Sequence, residues 1–337
     1  MFRKFIPLTL ALVAIVGCDG KKLDETTPPA PAASTASTAP STDSSFKVAL
    51  LTTGPVTDGG WNQSAYNGLL KIQKDLGATI DKQENLKEAQ FVDAFRDFAN
   101  RGYNLIIGHG DEFGPAAAKV AAQFPNVDFV TSGGEKNGPN LSNIHFATEE
   151  GNYLQGMEAA YISKSGKGGF IGGQQLPPVD QAAQAFKKGA LAVNPKFAYQ
   201  ITYINSWSDP GAAKTQTLTL LSNGADVISH NCDAAAAGMF QVAGAKSGVY
   251  TFGVNANENA KAPNVFSSAV LDIPKAFADI AAEVKNKTFK GGPVSIGMQT
   301  GDVALVDNPK FAAALTADQK AKIEAARNDI IAGKIKL

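Results

Sequence analysis

From Lys47 onward, short apolar runs alternate with longer amphipathic runs, and the whole series occurs twice. Lys47 to Thr53 is the kind of short apolar run that a strand buried on both faces requires. Gln63 to Leu76 carries Ala65, Leu69, Ile72 and Leu76 at helical spacing, and Gly77 ends it. The pattern then predicts a helix over Gln90 to Arg101 with Phe91, Phe95 and Phe98 on one face. A strand over Asn104 to Ile107, a helix over Pro115 to Gln123 and a strand over Val127 to Thr131 follow. The second series predicts strands over Gly169 to Ile171, Tyr199 to Ile204, Asp226 to Ser229 and Tyr250 to Val254. Between them lie helices over Val179 to Val193, Pro210 to Leu221 and Ala235 to Ala245. Such alternation implies parallel sheets flanked by helices and joined by right-handed crossovers. Its repetition implies two similar α/β lobes, which suits a body running from Phe46 to Leu337. Crossings between lobes are expected near Ala147 to Gly151, Val270 to Pro274 and Val294 to Gly297. This gives residues 46–148 plus 272–292 to the first lobe and 149–271 plus 293–337 to the second.

Ligands of open parallel sheets sit beyond the carboxyl ends of the strands, so two facing lobes place the site in the cleft between them. The loops selected by that rule hold both tryptophans, Trp61 and Trp207, together with Asp58, His109, Asp111, Glu112, His230, Cys232, Asp233 and Asn255. Trp61 beside Asn62 offers what a flat heteroaromatic ring needs: an indole face to stack on, and an amide that both donates and accepts at the ring edge. The same two residues also suit a plainer use, packing on and capping the first helix. Asp233 serves either as an acceptor for a ring N–H or exocyclic amine, or as a cap for the helix after it. His109, His230, Cys232 and Asp233 have the chemistry to hold a metal, but H-x-C-D is not a metal-site spacing. No G-x-S-x-G, P-loop or dinucleotide fingerprint occurs, so neither an enzyme nor a cofactor is expected.

Arg3 and Lys4, the apolar run Phe5 to Val16 and then Gly17-Cys18 read as a cleaved export signal over residues 1–17, too short to span a bilayer permanently. Ile15-Val16-Gly17-Cys18 resembles a bacterial lipobox, which makes Cys18 the lipidated first residue of the mature chain. Residues 18–45 are dominated by Thr, Ser, Ala and Pro and read as a disordered tether. The expected location is the outer face of the cell membrane, which in a Gram-negative cell is the periplasmic face of the inner membrane. Lys+Arg and Asp+Glu are both 31, so no basic field exists to hold nucleic acid. With Cys18 lipidated, Cys232 has no partner and disulfides do not shape the fold.

With these residues in view, the chain resembles the basic membrane protein family of lipoproteins, substrate-binding proteins of ABC transporters. Several of these bind purine nucleosides or purine bases. Asp58-Gly59-Gly60-Trp61-Asn62-Gln63-Ser64-Ala65-Tyr66-Asn67-Gly68 is similar to the family's D-x-S-F-N-x-x-x-x-x-G opening, with Trp for Phe and Gly for Ser. Gly108-His109-Gly110, Phe124-Pro125-Asn126-Val127, Glu150 to Gly156, Gly224 to Ile228 and Ile330 to Ile335 resemble later stretches in the same order. Three positions depart. Nucleoside binders carry an Asp where Pro115 falls, an Asp where Asn255 falls and a Lys where Leu271 falls. The charges associated with holding the sugar are thus missing. Trp61 and Asp233 are closer to the base-binding branch, although Asn231 stands where that branch has His.

The resemblance implies a two-lobed type I periplasmic-binding-protein fold that closes on its ligand by hinge motion. Trp61 would stack on the ring, and Asn62 and Asp233 would bond its edge. Asp58, His109, Asp111 and Asn255 would complete the polar lining, with Phe113 and Trp207 as second walls. The implied partners are a purine base or nucleoside, an ABC permease and, through the lipid, the membrane; the chain is expected to be monomeric. A sensor built on the same clamp and a binder of sugar-derived molecules stay open on the sequence.

Overall fold

The computed structural model describes residues 46–337; the signal segment, Cys18 and the tether to residue 45 lie outside the described residues. The first half of the chain runs β1 (Lys47–Thr52), α1 (Trp61–Leu76), β2 (Thr79–Gln83), α2 (Phe91–Asn100), β3 (Leu105–His109), α3 (Gly114–Ala121), β4 (Asp128–Ser132) and β5 (Leu141–Phe146). The second runs α4 (Thr148–Ile162), β6 (Lys167–Gly172), α5 (Pro177–Val193), β7 (Ala198–Tyr203), α6 (Pro210–Ser222), β8 (Val227–Asn231), α7 (Ala236–Gly244), β9 (Tyr250–Asn255) and β10 (Val265–Leu271). The last part holds α8 (Ile273–Lys285), β11 (Gly292–Ile296), β12 (Val303–Asp307) and α9 (Ala317–Ile331).

The strands form two six-stranded sheets of matching order, β11-β5-β4-β3-β1-β2 and β12-β10-β9-β8-β6-β7. Every pairing is parallel except β10 with β12. The central strands β1 and β3 are buried almost throughout, as strands covered on both faces must be. Each sheet with its helices is one lobe of a two-lobed α/β fold.

The chain passes between the sheets after β5, after β10 and after β11. These passages are tied to one another: the Ala147 amide donates to the Ile296 carbonyl at 2.9 Å, and the Asp272 amide donates to the Asp302 carbonyl at 2.7 Å. Lys275 pairs with the buried Asp302 carboxylate at 3.0 Å. Because β11 pairs with β5 through Ile296, residues 293–296 belong to the first lobe and not to the second, as the sequence reading had it.

Two further differences have physical causes. Asp58 collects the amides at the start of α1, so that helix begins at Trp61, two residues earlier than the apolar spacing suggests. Helix α4, which sequence periodicity passes over, is buried on all sides from Gly151 to Ala159 and so has no polar face to set a period.

Helices α4 and α5 meet at glycines. A Cβ on Gly156 would lie 2.0 Å from the Phe186 carbonyl oxygen, and one on Gly189 would lie 1.9 Å from that of Tyr153. The backbones touch, and no side-chain rotation relieves an added methyl. Gly156→Ala is therefore expected to lower stability by about 3 kcal/mol. A urea melt should show this as a lower midpoint at unchanged slope, and an unchanged midpoint would mean that the helices separate freely.

Candidate functional site

The loops beyond the carboxyl ends of the strands of both lobes converge on a cavity of about 720 Å³. Asp58, Trp61, Asn62 and Asp111 line it from the first lobe, and Trp207, Asp233 and Asn255 from the second.

Asp58 organises the first wall. Its Oδ1 accepts from the amides of Gly60 (2.9 Å) and Gln63 (3.0 Å). Its Oδ2 accepts from the Asn62 amide (2.9 Å) and from Asn62 Nδ2 (2.8 Å). The carboxylate thus satisfies free N–H groups at a helix start, where the dipole also favours a negative charge. A carboxylate can only accept, which fixes the Asn62 side chain with its nitrogen toward Asp58. Asn62 Oδ1 is left buried and without a hydrogen-bond partner among the described residues.

Trp61 stands on the first turn of α1, with one face on the His109 ring at a centroid distance of 4.0 Å and 24° between planes. The Phe146 ring meets it edge-on at 5.9 Å. His109 is fully buried. Its Nε2 bonds the Trp61 carbonyl (3.1 Å) and its Nδ1 bonds Ser132 Oγ (2.7 Å). A carbonyl only accepts, so Nε2 carries the proton and Nδ1 accepts from the serine. Burial pushes the imidazole pKa down to about 3, so the ring stays neutral. His109 therefore backs the indole instead of lining the cavity as the sequence reading expected.

Phe113 is a second correction. After β3, a 3₁₀ turn over Asp111–Phe113 keeps Asp111 at the cavity and folds Phe113 inward. Phe113 is fully buried, stacks on Phe91 at 4.1 Å and meets Phe95 edge-on at 6.0 Å. It is a core residue, not a wall of the cleft.

On the second lobe, Trp207 lies flat on Gly173, where a Cβ would come within 2.2 Å of the indole. Asp233 and Asn255 both adopt left-handed backbone, with φ of 46° and 64°. Asp233 keeps part of its surface open to the cleft, yet its carboxyl pKa is pushed up to about 8. Burial is the largest cause, followed by the charges of Asp58, Glu258 and Glu112. Nothing among the described residues hydrogen-bonds that carboxyl. The approach of the lobes here is close: a Cβ on Gly60 would lie 3.9 Å from Asp233 Oδ1, and one on Gly59 3.1 Å from Lys261 Nζ. Burial, with Glu135 nearby, also raises the pKa of Asp111.

His230 and Cys232 do not join this wall. His230 Nε2 pairs with Glu258 Oε2 at 2.8 Å, both buried, and Cys232 is packed in the core beneath α7. No group of three or more His, Cys, Asp or Glu among the described residues is placed to hold a metal ion.

Several cavity residues escaped the sequence reading. Asn85 and Lys87 follow β2, His145 stands at the end of β5 and Thr148 follows it. Neither strand was identified, because β2 (Thr-Ile-Asp-Lys-Gln) is a polar sheet edge and β5 mixes Ser, Asn and His into its run. Had they been recognised, the strand-end rule would have found all four. Glu112 and Asn205 also line the cavity, from the loops that follow β3 and β7.

The model of the Bmp family, described as PnrA-like ABC transporter substrate-binding proteins, matches residues 45–337. A transcriptional activator protein of Bacillus subtilis (strain 168) is 30% identical over 261 residues, 77% of this chain and 81% of the relative. A purine-binding protein of Brucella abortus (strain 2308) is 30% identical over 298 residues, 86% of this chain and 84% of the relative. Among solved structures, a solute-binding protein of an ABC transporter system from Aeropyrum pernix K1 superposes with a TM-score of 0.79 at 20% identity, covering 86% of this chain and 92% of that one. The chain belongs to the Bmp family: it is an ABC transporter substrate-binding protein, which binds a small molecule, delivers it to a permease and performs no enzymatic chemistry.

Proposed function

We propose that the ligand is a purine, a free base in preference to a nucleoside, held between Trp61 and Trp207. The observation that carries this reading is the pairing of an indole at the cavity with Asn62 Oδ1, a buried acceptor without a partner among the described residues. An unmet acceptor of this kind costs about 1–3 kcal/mol, and a ring N–H or exocyclic amine relieves that cost. Asp233 supplies a second acceptor from the opposite lobe, and Asp111 and Asn255 add polar lining. The Brucella relative named as a purine-binding protein supports the choice of ligand. Pro115, Asn255 and Leu271, standing where nucleoside binders carry charged groups, favour the base. One stacked ring with two or three good hydrogen bonds reaches about 8 kcal/mol, a micromolar dissociation constant. The proposed setting is a lipid anchor at Cys18 on the extracytoplasmic face of the membrane. A second reading, occupancy sensing for a regulatory receptor, draws on the Bacillus relative named as a transcriptional activator.

Native mass spectrometry of freshly purified protein names any retained ligand, and a compound with no purine ring would overturn the reading. Adenine, guanine, hypoxanthine and their ribonucleosides should be compared by thermal shift. Trp61→Ala is expected to weaken the best of them by roughly a hundredfold, in line with about 1–3 kcal/mol per stacked base, while the unliganded protein stays folded. An undiminished shift would mean that the indole only packs.

Asp233 gives the cleft a pH signature. Its folded pKa is raised, so between about 4 and 8 the folded chain holds a proton that the unfolded chain has released. This contribution to the stability of the unliganded protein is complete below the unfolded value near 4 and is lost as pH rises toward 8. Asp233→Asn should therefore gain stability relative to wild type at pH 8 compared with pH 5. A ligand N–H needs the carboxylate, so purine affinity should rise with pH by at most tenfold per unit up to about 8, then level off. In Asp233→Asn the profile should be flat; calorimetry showing the wild-type slope intact would remove Asp233 from the site.

A further inference from the structure

We propose that His109 is a positioning residue for the ligand platform, holding the Trp61 indole in the plane a bound ring requires and acting on the ligand only through that indole. The ligand part of this inference rests on the reading of Trp61 as the stacking surface. The geometry stands by itself.

His109 closes β3 and is held from every side. Its Nε2–H donates to the Trp61 carbonyl, its Nδ1 accepts from Ser132 at the end of β4, and the Phe277 ring of α8 meets it edge-on at 5.6 Å and 89°. The indole lies on its face, and Phe146 presses that indole edge-on from β5. One imidazole thus grips both the backbone and the ring of the same tryptophan, while Ser132 of β4 and Phe277 of α8 fix the imidazole. Its burial keeps it neutral, so the grip does not come and go with pH over the physiological range. A binding surface ordered beforehand spares the ligand the loss of affinity that comes with ordering it.

The chain holds two tryptophans, so in a Trp207→Phe background excitation at the red edge of the indole band, where tyrosine does not absorb, reads Trp61 alone. Time-resolved anisotropy without ligand then reports how firmly the indole is held. The parent should show overall tumbling alone. His109→Ala should add a nanosecond local motion, and His109→Phe, which keeps a ring behind the indole, should remove most of it. Ser132→Ala is the milder variant if His109→Ala does not fold, and should add the same motion at smaller amplitude. An unchanged decay in the variants that fold overturns the proposal whatever the ligand is.

Isothermal titration with the best purine of the panel supplies the second arm, in the natural Trp207 chain. His109→Ala should weaken binding roughly tenfold, and the Trp61→Ala, His109→Ala double variant should bind no more weakly than Trp61→Ala alone. Losses that multiply instead overturn the claim that His109 acts through the indole. If Trp61→Ala binds like the parent, the stacking reading fails and takes the ligand part of this proposal with it, and the anisotropy arm still decides whether His109 fixes the indole.

Discussion

The Asp58 carboxylate accepts four N–H groups from residues two to five positions on, and the first wall of the cleft depends on it. These bonds draw the Gly59-Gly60 turn tight and start α1 at Trp61, which sets the indole on a helix and not on a loop. They also orient the Asn62 amide so that its oxygen is the group left unbonded. Hydrogen bonds to a charged acceptor are the stronger kind, about 1.5–3 kcal/mol each against about 1 for neutral pairs. A carboxylate spent in this way has nothing left for a ligand, so Asp58 shapes the site without having to touch what it holds.

The second consequence is electrostatic. Asp58 stays on the first lobe, and Asp233 arrives on the second, with Glu258 behind it and Glu112 near it. Asp233 has no hydrogen-bond donor among the described residues, whereas Asp58 accepts from four N–H groups and Glu258 from His230 and the Val254 amide. Bringing the lobes together thus raises the cost of ionising Asp233, and a ligand that offers an N–H between them lowers it again.

The fold was legible wherever burial has a face. Sheet strands buried on both sides and amphipathic helices such as α2 leave a period in the sequence, and the doubled βαβ order follows from them. Elements without a face leave no such period: α4, buried on all sides with Asn152, Gln155 and Glu158 among its apolar residues, and the polar edge strand β2. The site was legible to the extent that strand-end loops select it, which brought Trp61, Asn62, Trp207, Asp233 and Asn255 to one cavity. It failed for Phe113 because a single 3₁₀ turn reverses which side of a loop faces the core. It failed for His109 because a residue at a strand end lies behind the residue that stands on the neighbouring helix start. Spacing along the chain carries no record of either depth.

Depth also separates the two lobes in kind. Trp61 is backed by a buried imidazole that Ser132 and Phe277 hold in turn, whereas Asp233 and Asn255 hang on left-handed turns at the ends of strands, and Trp207 lies on a glycine. The first lobe therefore offers a surface already formed, and the second brings groups whose position depends on where the lobe stands. The passages between them are cross-bonded at Ala147–Ile296 and Asp272–Asp302, so the crossings are tied to one another. On the proposed reading, a flat ring would settle first on the rigid face and be enclosed afterwards. That order follows from which side is preorganised, because a group that must still move cannot be the one that fixes the ligand's plane.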